Sequence, residues 1–278
     1  MPRFGMQSKD EIEISSRAGA RAVYLGDHTM ICRVLDTYLL YLDTRDYGIV
    51  PHLAMDGFWE SWVTLAMARL VRPGMRVVNV GANFGYYAVL FADLVGPTGD
   101  VVAFEPLGQI ATQLERTKVA NGFKHLHVRR EVVLEKPGTV TFANPVGYLN
   151  GFVLRAGEVT HQDVTIEHIP GAPLDGMVGS VDFLFVDAEG VEPEVLRGAR
   201  GALAKSPTAT VVLEFTRSRY PDPLAFALEL EDGGRRALYV VGEMGELVPR
   251  TPEQLVAGDA AGIPGHWVEN PTVVARVP

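Results

Sequence analysis

The sequence predicts an α/β chain, a Rossmann-like and mostly parallel sheet with helices on both faces, preceded by a small β-rich extension. Three observations predict it. From Met75 onward, short β-branched runs alternate with helix-forming segments. The first of these runs leads straight into a glycine loop, and an acidic residue closes the second.

Taken in order, Ala22-Val23-Tyr24-Leu25 and Met30 to Leu35 are strand-like, and Gly26-Asp27-His28 between them is turn chemistry. Tyr38 to Leu42 reads as another strand, and this extension (residues 1–56) fades out near Pro51. Trp59, Trp62, Val63, Ala66 and Leu70 recur at helical spacing, predicting a helix over Phe58 to Val71 that Arg72-Pro73-Gly74 stops. The main domain (residues 57–278) then alternates. Strand Arg76 to Val80 precedes helix Tyr86 to Val95, and strand Asp100 to Phe104 precedes helix Leu107 to Asn121. A third strand covers His125 to Val133, with Thr139 to Ala143 pairing nearby after the Pro137-Gly138 turn. Val181 to Val186 is a strand, followed by a helix over Pro193 to Ala204 with proline in its first turn. Strand Thr210 to Phe215 and helix Pro223 to Glu231 come next. Leu238 to Val241 and Thr272 to Val277, joined by the Gly/Pro-rich Gly242 to Asn270, form an antiparallel closing pair at one sheet edge.

Bulk properties narrow the function. A chain of 278 residues with 47% hydrophobic side chains fits one large domain, or one with an extension. No apolar run reaches membrane-spanning length, and Met1 to Arg17 lacks the apolar stretch of a secretory signal. Cys32 stands alone, which fits a reducing, cytoplasmic home, and its place in an alternating run reads as a buried thiol. The net charge of −9 repels a polyanion, and Arg129-Arg130 and Arg235-Arg236 are only pairs, so nucleic acid is not an expected partner.

The most informative segment is Asn79-Val80-Gly81-Ala82-Asn83-Phe84-Gly85. Gly81 permits the tight turn, and Gly85 lets the helix start lie against ligand or sheet. Glu105 ends the second strand, where a carboxylate accepts from both hydroxyls of a ribose. This pair indicates a nucleoside cofactor. A dinucleotide loop keeps three glycines for its pyrophosphate, whereas here Ala82-Asn83-Phe84 fills the gap between two. Asn79 and Asn83 suit the amino and carboxylate groups of a methionine tail, so S-adenosyl-L-methionine is the expected cofactor. A nicotinamide-dependent oxidoreductase is the least favoured alternative.

These residues, with Ala103-Phe104-Glu105-Pro106, the run Val181 to Glu192 and Val195-Leu196-Arg197-Gly198-Ala199, resemble the FkbM family of methyltransferases. Gly57-Phe58-Trp59-Glu60 is similar to that family's G-x-x-E stretch, and the resemblance covers roughly residues 35 to 217. It implies a class I methyltransferase fold with a seven-stranded sheet whose last strand is antiparallel, and O-methylation of a natural product or sugar. Two departures stand out: Asn79 replaces the family's usual Asp, and Leu107 follows Glu105-Pro106 where a polar residue is usual. The expected cofactor contacts are Glu60, Asn79, Gly81, Ala82, Asn83, Gly85, Glu105, Pro106, Glu131 and Asp187.

Methyl transfer is an in-line displacement, so the enzyme aligns the partners, excludes water and, for a hydroxyl acceptor, supplies a base. Asp187, Glu189 and Glu214 lie at strand ends and are the catalytic candidates. The alternative reading makes Asp187 a helix cap and Glu189 a solvated acid, while Glu60 reads equally as a helix N-terminal acid. Glu131 stands where an adenine edge would lie. His125, His127, His161 and His168 lack carboxylates at ligand spacing, so no metal site is expected, and Trp59 and Trp62 read as packing. Asn144 to His168 lacks periodicity, and its Tyr148, Asn150 and Phe152 are the expected substrate contacts. The expected partner is a small-molecule methyl acceptor, neither nucleic acid nor a membrane. N-methylation, a non-catalytic cofactor-binding scaffold and the oligomeric state, a homodimer included, stay open.

Overall fold

The computed structural model describes residues 7–155, 163–259, 263 and 269–278. The chain begins with helix α1 (Lys9–Gly19), which the sequence analysis did not anticipate. Its signal is a capping box: Ser8 Oγ accepts from Glu11 N–H at 3.2 Å, and Ser8 N–H donates to Glu11 Oε2 at 2.7 Å. Strands β1 (Arg21–Gly26), β2 (Thr29–Val34) and β3 (Tyr38–Asp43) follow as an antiparallel meander. Asp27 and His28 both have positive φ, the geometry a two-residue hairpin turn requires. Helices α2 (Ile49–Met55) and α3 (Ser61–Leu70) lead into the main domain.

There, β4 (Arg76–Val80), α4 (Tyr86–Val95), β5 (Asp100–Phe104), α5 (Gly108–Asn121) and β6 (Leu126–Arg129) form one half of a doubly wound sheet. The extension is stitched onto it, because Tyr41 N–H donates to Thr117 Oγ1 at 2.9 Å and Leu39 N–H to Asn121 Oδ1 at 3.0 Å on α5. The expected third strand is cut short at Arg129. The chain leaves the sheet at Arg130-Glu131, and β7 (Val132–Val133), β8 (Gly138–Pro145), β9 (Phe152–Leu154) and β10 (Val164–Ala172) build a second sheet in the order β7-β10-β8-β9. Most of β10 is exposed, so it lacks the apolar alternation that marks a strand in sequence.

The other half comprises β11 (Phe183–Val186), α6 (Glu192–Gly198), α7 (Arg200–Ala204), β12 (Thr210–Glu214), α8 (Pro223–Glu231), β13 (Ala237–Val241), β14 (Leu247–Arg250), α9 (Pro252–Ala257) and β15 (Thr272–Arg276). The helix expected over Pro193 to Ala204 breaks into two where Gly198 packs onto the Leu134 backbone, leaving no room for a Cβ. The main sheet runs β14-β13-β15-β12-β11-β4-β5-β6. β15 is antiparallel to both neighbours, as a class I methyltransferase sheet requires, but it lies inside the sheet rather than at its edge. The edge pair is β13 with β14, an eighth strand among the described residues where seven were expected. Apolar clusters fill both faces, around Phe91, Phe183 and Phe185 on one and Phe215, Phe226 and Leu230 on the other. Among the described residues, no helix is long and apolar enough to cross a membrane.

Candidate functional site

Strand order reverses on either side of β4, with β5 on one flank and β11 on the other, which opens a crevice beyond the carboxyl ends of the strands. The glycine loop lies there. Gly81 has φ 78°, and a Cβ on it would run into the Asp187 carbonyl, so only glycine lets the β4 turn pass the β11 turn. Asn83 also has positive φ, and its N–H donates to Glu105 Oε2 at 2.9 Å. The other Glu105 oxygen accepts from Leu107 N–H, also at 2.9 Å. Burial raises the Glu105 carboxyl to about 7, opposed by these two donors.

Around this carboxylate is a cleft of about 650 Å³, counted out to its open mouth. Val80, Phe104, Val132, Val133 and Phe142 give it an apolar wall, while Gly81, Asn83, Glu105, Pro106 and Glu131 give it a polar one. An apolar slot beside a buried carboxylate is the donor set of a nucleoside site, so the residues present fit S-adenosylmethionine. Glu131 is held by Arg129 at 2.5 Å, and that guanidinium keeps its carboxyl below the usual range.

A second cleft, of about 800 Å³ on the same measure, adjoins the first. Asn83, Asn150, Asp187 and Glu189 line both, whereas Asp46, Trp59, Glu60, Tyr148 and Glu214 line the second alone. Two distant segments build its roof, since Tyr47 N–H donates to the Gly147 carbonyl at 2.7 Å and Leu149 N–H to Asp46 Oδ2 at 2.8 Å. All three catalytic candidates therefore meet here, although they come from two strand ends. They differ in their partners. Glu189, at φ 54°, is paired with Arg219 and accepts from Asn150 Nδ2 at 3.3 Å. The Glu214 carboxylate has one long contact, from Thr216 Oγ1 at 3.4 Å. The Asp187 carboxylate has no hydrogen bond among the described residues, so it does not cap the following helix.

The electrostatics follow from this crowding. Asp187 touches cleft water yet stands on a concave floor with protein on its other sides. That enclosure, then the charges of Glu214, Glu189, Glu60 and Glu192, holds its carboxyl well above the usual range. Burial and the charges of Glu189 and Glu60 push Glu214 up to about 8. Glu60 rises to about 7 through burial, offset by the Tyr87 hydroxyl that donates to it at 2.8 Å.

Not every expected residue arrives at a cleft. Asn79 alternates away from Val80 into the core; it is 1% exposed, and neither side-chain polar atom has a partner among the described residues. Gly85 faces Leu114 of α5, and neither it nor buried Ala82 lines either cleft. Phe152 pairs with Ala143 in the second sheet and lines neither cleft, while Tyr148 lines the second and Asn150 both. His161 lies outside the described residues.

Other residues were missed. Trp59 and Trp62 both pack on the core as expected, and Trp59 also forms a wall of the second cleft. Glu192 braces the 187–190 turn by accepting from Ala188 N–H at 3.1 Å, from Gly190 N–H at 3.0 Å and from the Tyr220 hydroxyl at 3.2 Å. Asp46 and Tyr87 join through long-range folding. The only signal for Asp46 was an acid just after a predicted strand.

The profile of the methyltransferase FkbM domain matches residues 79–237. A protein-L-isoaspartate O-methyltransferase of Methanothrix thermoacetophila is 38% identical over 55 residues, 18% of this chain and 26% of that protein. Its namesake from Methanothermobacter thermautotrophicus is 26% identical over 86 residues, 31% and 37% of the respective chains. The chain thus spans 26% and 37% of the length of these two curated relatives. Among solved structures, a SAM dependent methyltransferase from Aquifex aeolicus is 16% identical with a TM-score of 0.40, covering 75% of this chain and 85% of its own.

Proposed function

The chain belongs to the FkbM methyltransferase family, and on that premise we propose that it methylates a hydroxyl of a small molecule with S-adenosylmethionine as donor. The observation that carries this reading is a pair of adjoining clefts with the partnerless Asp187 carboxylate on their common wall. Glu105 would hold the ribose hydroxyls, the apolar wall of Phe104, Val132 and Val133 the adenine, and Asn83 the methionine end. When bound, S-adenosylmethionine supplies a methyl group on a sulfonium, which leaves as a neutral thioether.

The protein's own residues do the rest. Asp187 faces both clefts, so it accepts the proton of the acceptor hydroxyl as the oxygen–methyl bond forms, worth roughly 10² to 10⁴ in rate. Its raised proton affinity suits that work near neutral pH. Glu189 is committed to Arg219 and holds the wall in place. The carboxylates of the second cleft repel a nucleic-acid backbone. An amine acceptor must be neutral to attack, and a carboxylate-lined cleft favours its protonated form, which supports oxygen over nitrogen.

Calorimetric titration with S-adenosylhomocysteine, on the native chain and on Glu105→Ala, tests the cofactor. The expected result is micromolar binding that the substitution weakens roughly tenfold or more. A native chain that ignores this ligand and binds a nicotinamide dinucleotide overturns the reading. Transfer of labelled methyl into a panel of small hydroxyl compounds then reads the acceptor atom directly.

A further inference from the structure

Resting on that reading, we propose that the acceptor carries a protonated amine besides its hydroxyl, and that the second cleft seats this ammonium group against Glu60 and Glu214 beside the Trp59 ring. The lining of that cleft holds Asp46, Glu60, Asp187, Glu189 and Glu214 and neither Lys nor Arg. The protein answers only part of this charge. Asp46 spends its oxygens on the N–H groups of Ile49, Val50 and Leu149 at 2.9, 3.2 and 2.8 Å. Arg219 stands close by and is paired with Glu189. Glu60 has the Tyr87 hydroxyl and Glu214 the long Thr216 contact, neither of them a cation. Burial and the neighbouring carboxylates raise the proton affinity of Glu214, the nearby Arg219 offsets this only in part, and a bound cation relieves the remaining repulsion.

The walls agree with an organic cation. Trp59 and Tyr148 both line the cleft, and aromatic faces beside carboxylates are the means by which proteins hold ammonium groups. A divalent metal ion calls for several ligands converging on one point, and among the described residues no three His, Cys, Asp or Glu side chains form such a group. The two clefts also divide the labour. Asp187 borders the cofactor cleft, whereas Glu60 and Glu214 line only the second, so the ammonium is held away from the reacting hydroxyl. In the transfer, the acceptor oxygen gains the methyl group, its proton passes to Asp187, and the ammonium keeps all of its protons.

The test uses protein saturated with S-adenosylhomocysteine and three ligands that share one hydroxylated ring: glucosamine, glucose and glucuronate. Calorimetry is expected to give glucosamine an affinity at least roughly tenfold above the other two, with most of that preference lost in Glu214→Gln and in Glu60→Gln. Thermal melts of both variants identify one that fails to fold, and the other then decides. Equal affinity for the three sugars, binding of none of them, or displacement of glucosamine by micromolar magnesium chloride overturns the proposal. Failure of the native chain to bind S-adenosylhomocysteine in the same titration marks instead the failure of the cofactor reading beneath it.

Discussion

Replacing Glu105 by glutamine separates the charge of this residue from its shape. Its carboxyl is 7% exposed and is raised from an ordinary 4.5 to about 7. A group whose folded-state proton affinity is raised contributes its full stability below pH 4.5 and loses it as pH climbs through about 7. At about 1.4 kcal/mol for each tenfold change in affinity, the loss is about 3 kcal/mol. Glu105→Gln does not titrate, but it keeps only one carbonyl oxygen for two backbone donors, those of Asn83 and Leu107. One donor then faces an NH₂ group, at a cost of about 1–3 kcal/mol. The variant should therefore melt below the native protein near pH 5 and draw level with it or pass it near pH 8. At about 2 °C per kcal/mol for a chain of this size, the melting difference should swing by about 6 °C across that range. Glu60, Asp187 and Glu214 titrate in both proteins and cancel in the difference. Scanning calorimetry of the ligand-free pair at several pH values is the assay. Parallel curves across the whole range would refute the argument that Glu105 is a buried, strained acid awaiting a hydroxyl partner.

Further outcomes follow from the same geometry. Asp187→Asn should lower kcat by roughly 10² to 10⁴ while leaving S-adenosylhomocysteine affinity nearly unchanged. In the native enzyme kcat should rise with pH above the ordinary carboxylate range, because a base whose proton affinity is raised by burial and by neighbouring carboxylates must first lose its proton; a rate that falls as pH is raised contradicts the assignment. Gly81→Ala should cost about 3 kcal/mol or more and abolish cofactor binding, since its Cβ meets the Asp187 carbonyl at φ 78°. Gly96→Ala, at φ 64° with open space around it, should cost only about 1 kcal/mol. Urea denaturation of the two variants compares them, and equal losses would remove the close approach of the β4 and β11 turns from the argument.

What the sequence by itself determined is whatever depends on near neighbours along the chain. β4, α4, β5, α5 and α8 came out at or within a residue of their observed bounds, because each is a short run of consistent local propensity bounded by its own glycine, proline or cap, even where, as in α5, the periodicity is weak. The glycine loop and the acid at the end of β5 were legible for the same reason, since a tight turn and a strand-end carboxylate are local requirements. Only the tertiary structure decided how distant residues share one space. Nothing near Asp46 in sequence says that it will tie α2 to the turn at Leu149, and nothing near Trp59 says that it will line one cleft with Glu214. Of the second sheet, β8 was read as a strand over Thr139 to Ala143, but β10 escaped notice because most of it faces water and it carries no apolar alternation. Asn79 shows the limit most plainly. Its place beside the glycine loop suggested a ligand contact, but one step of strand alternation turned it into the core, and alternation acts on the site only once the sheet has formed.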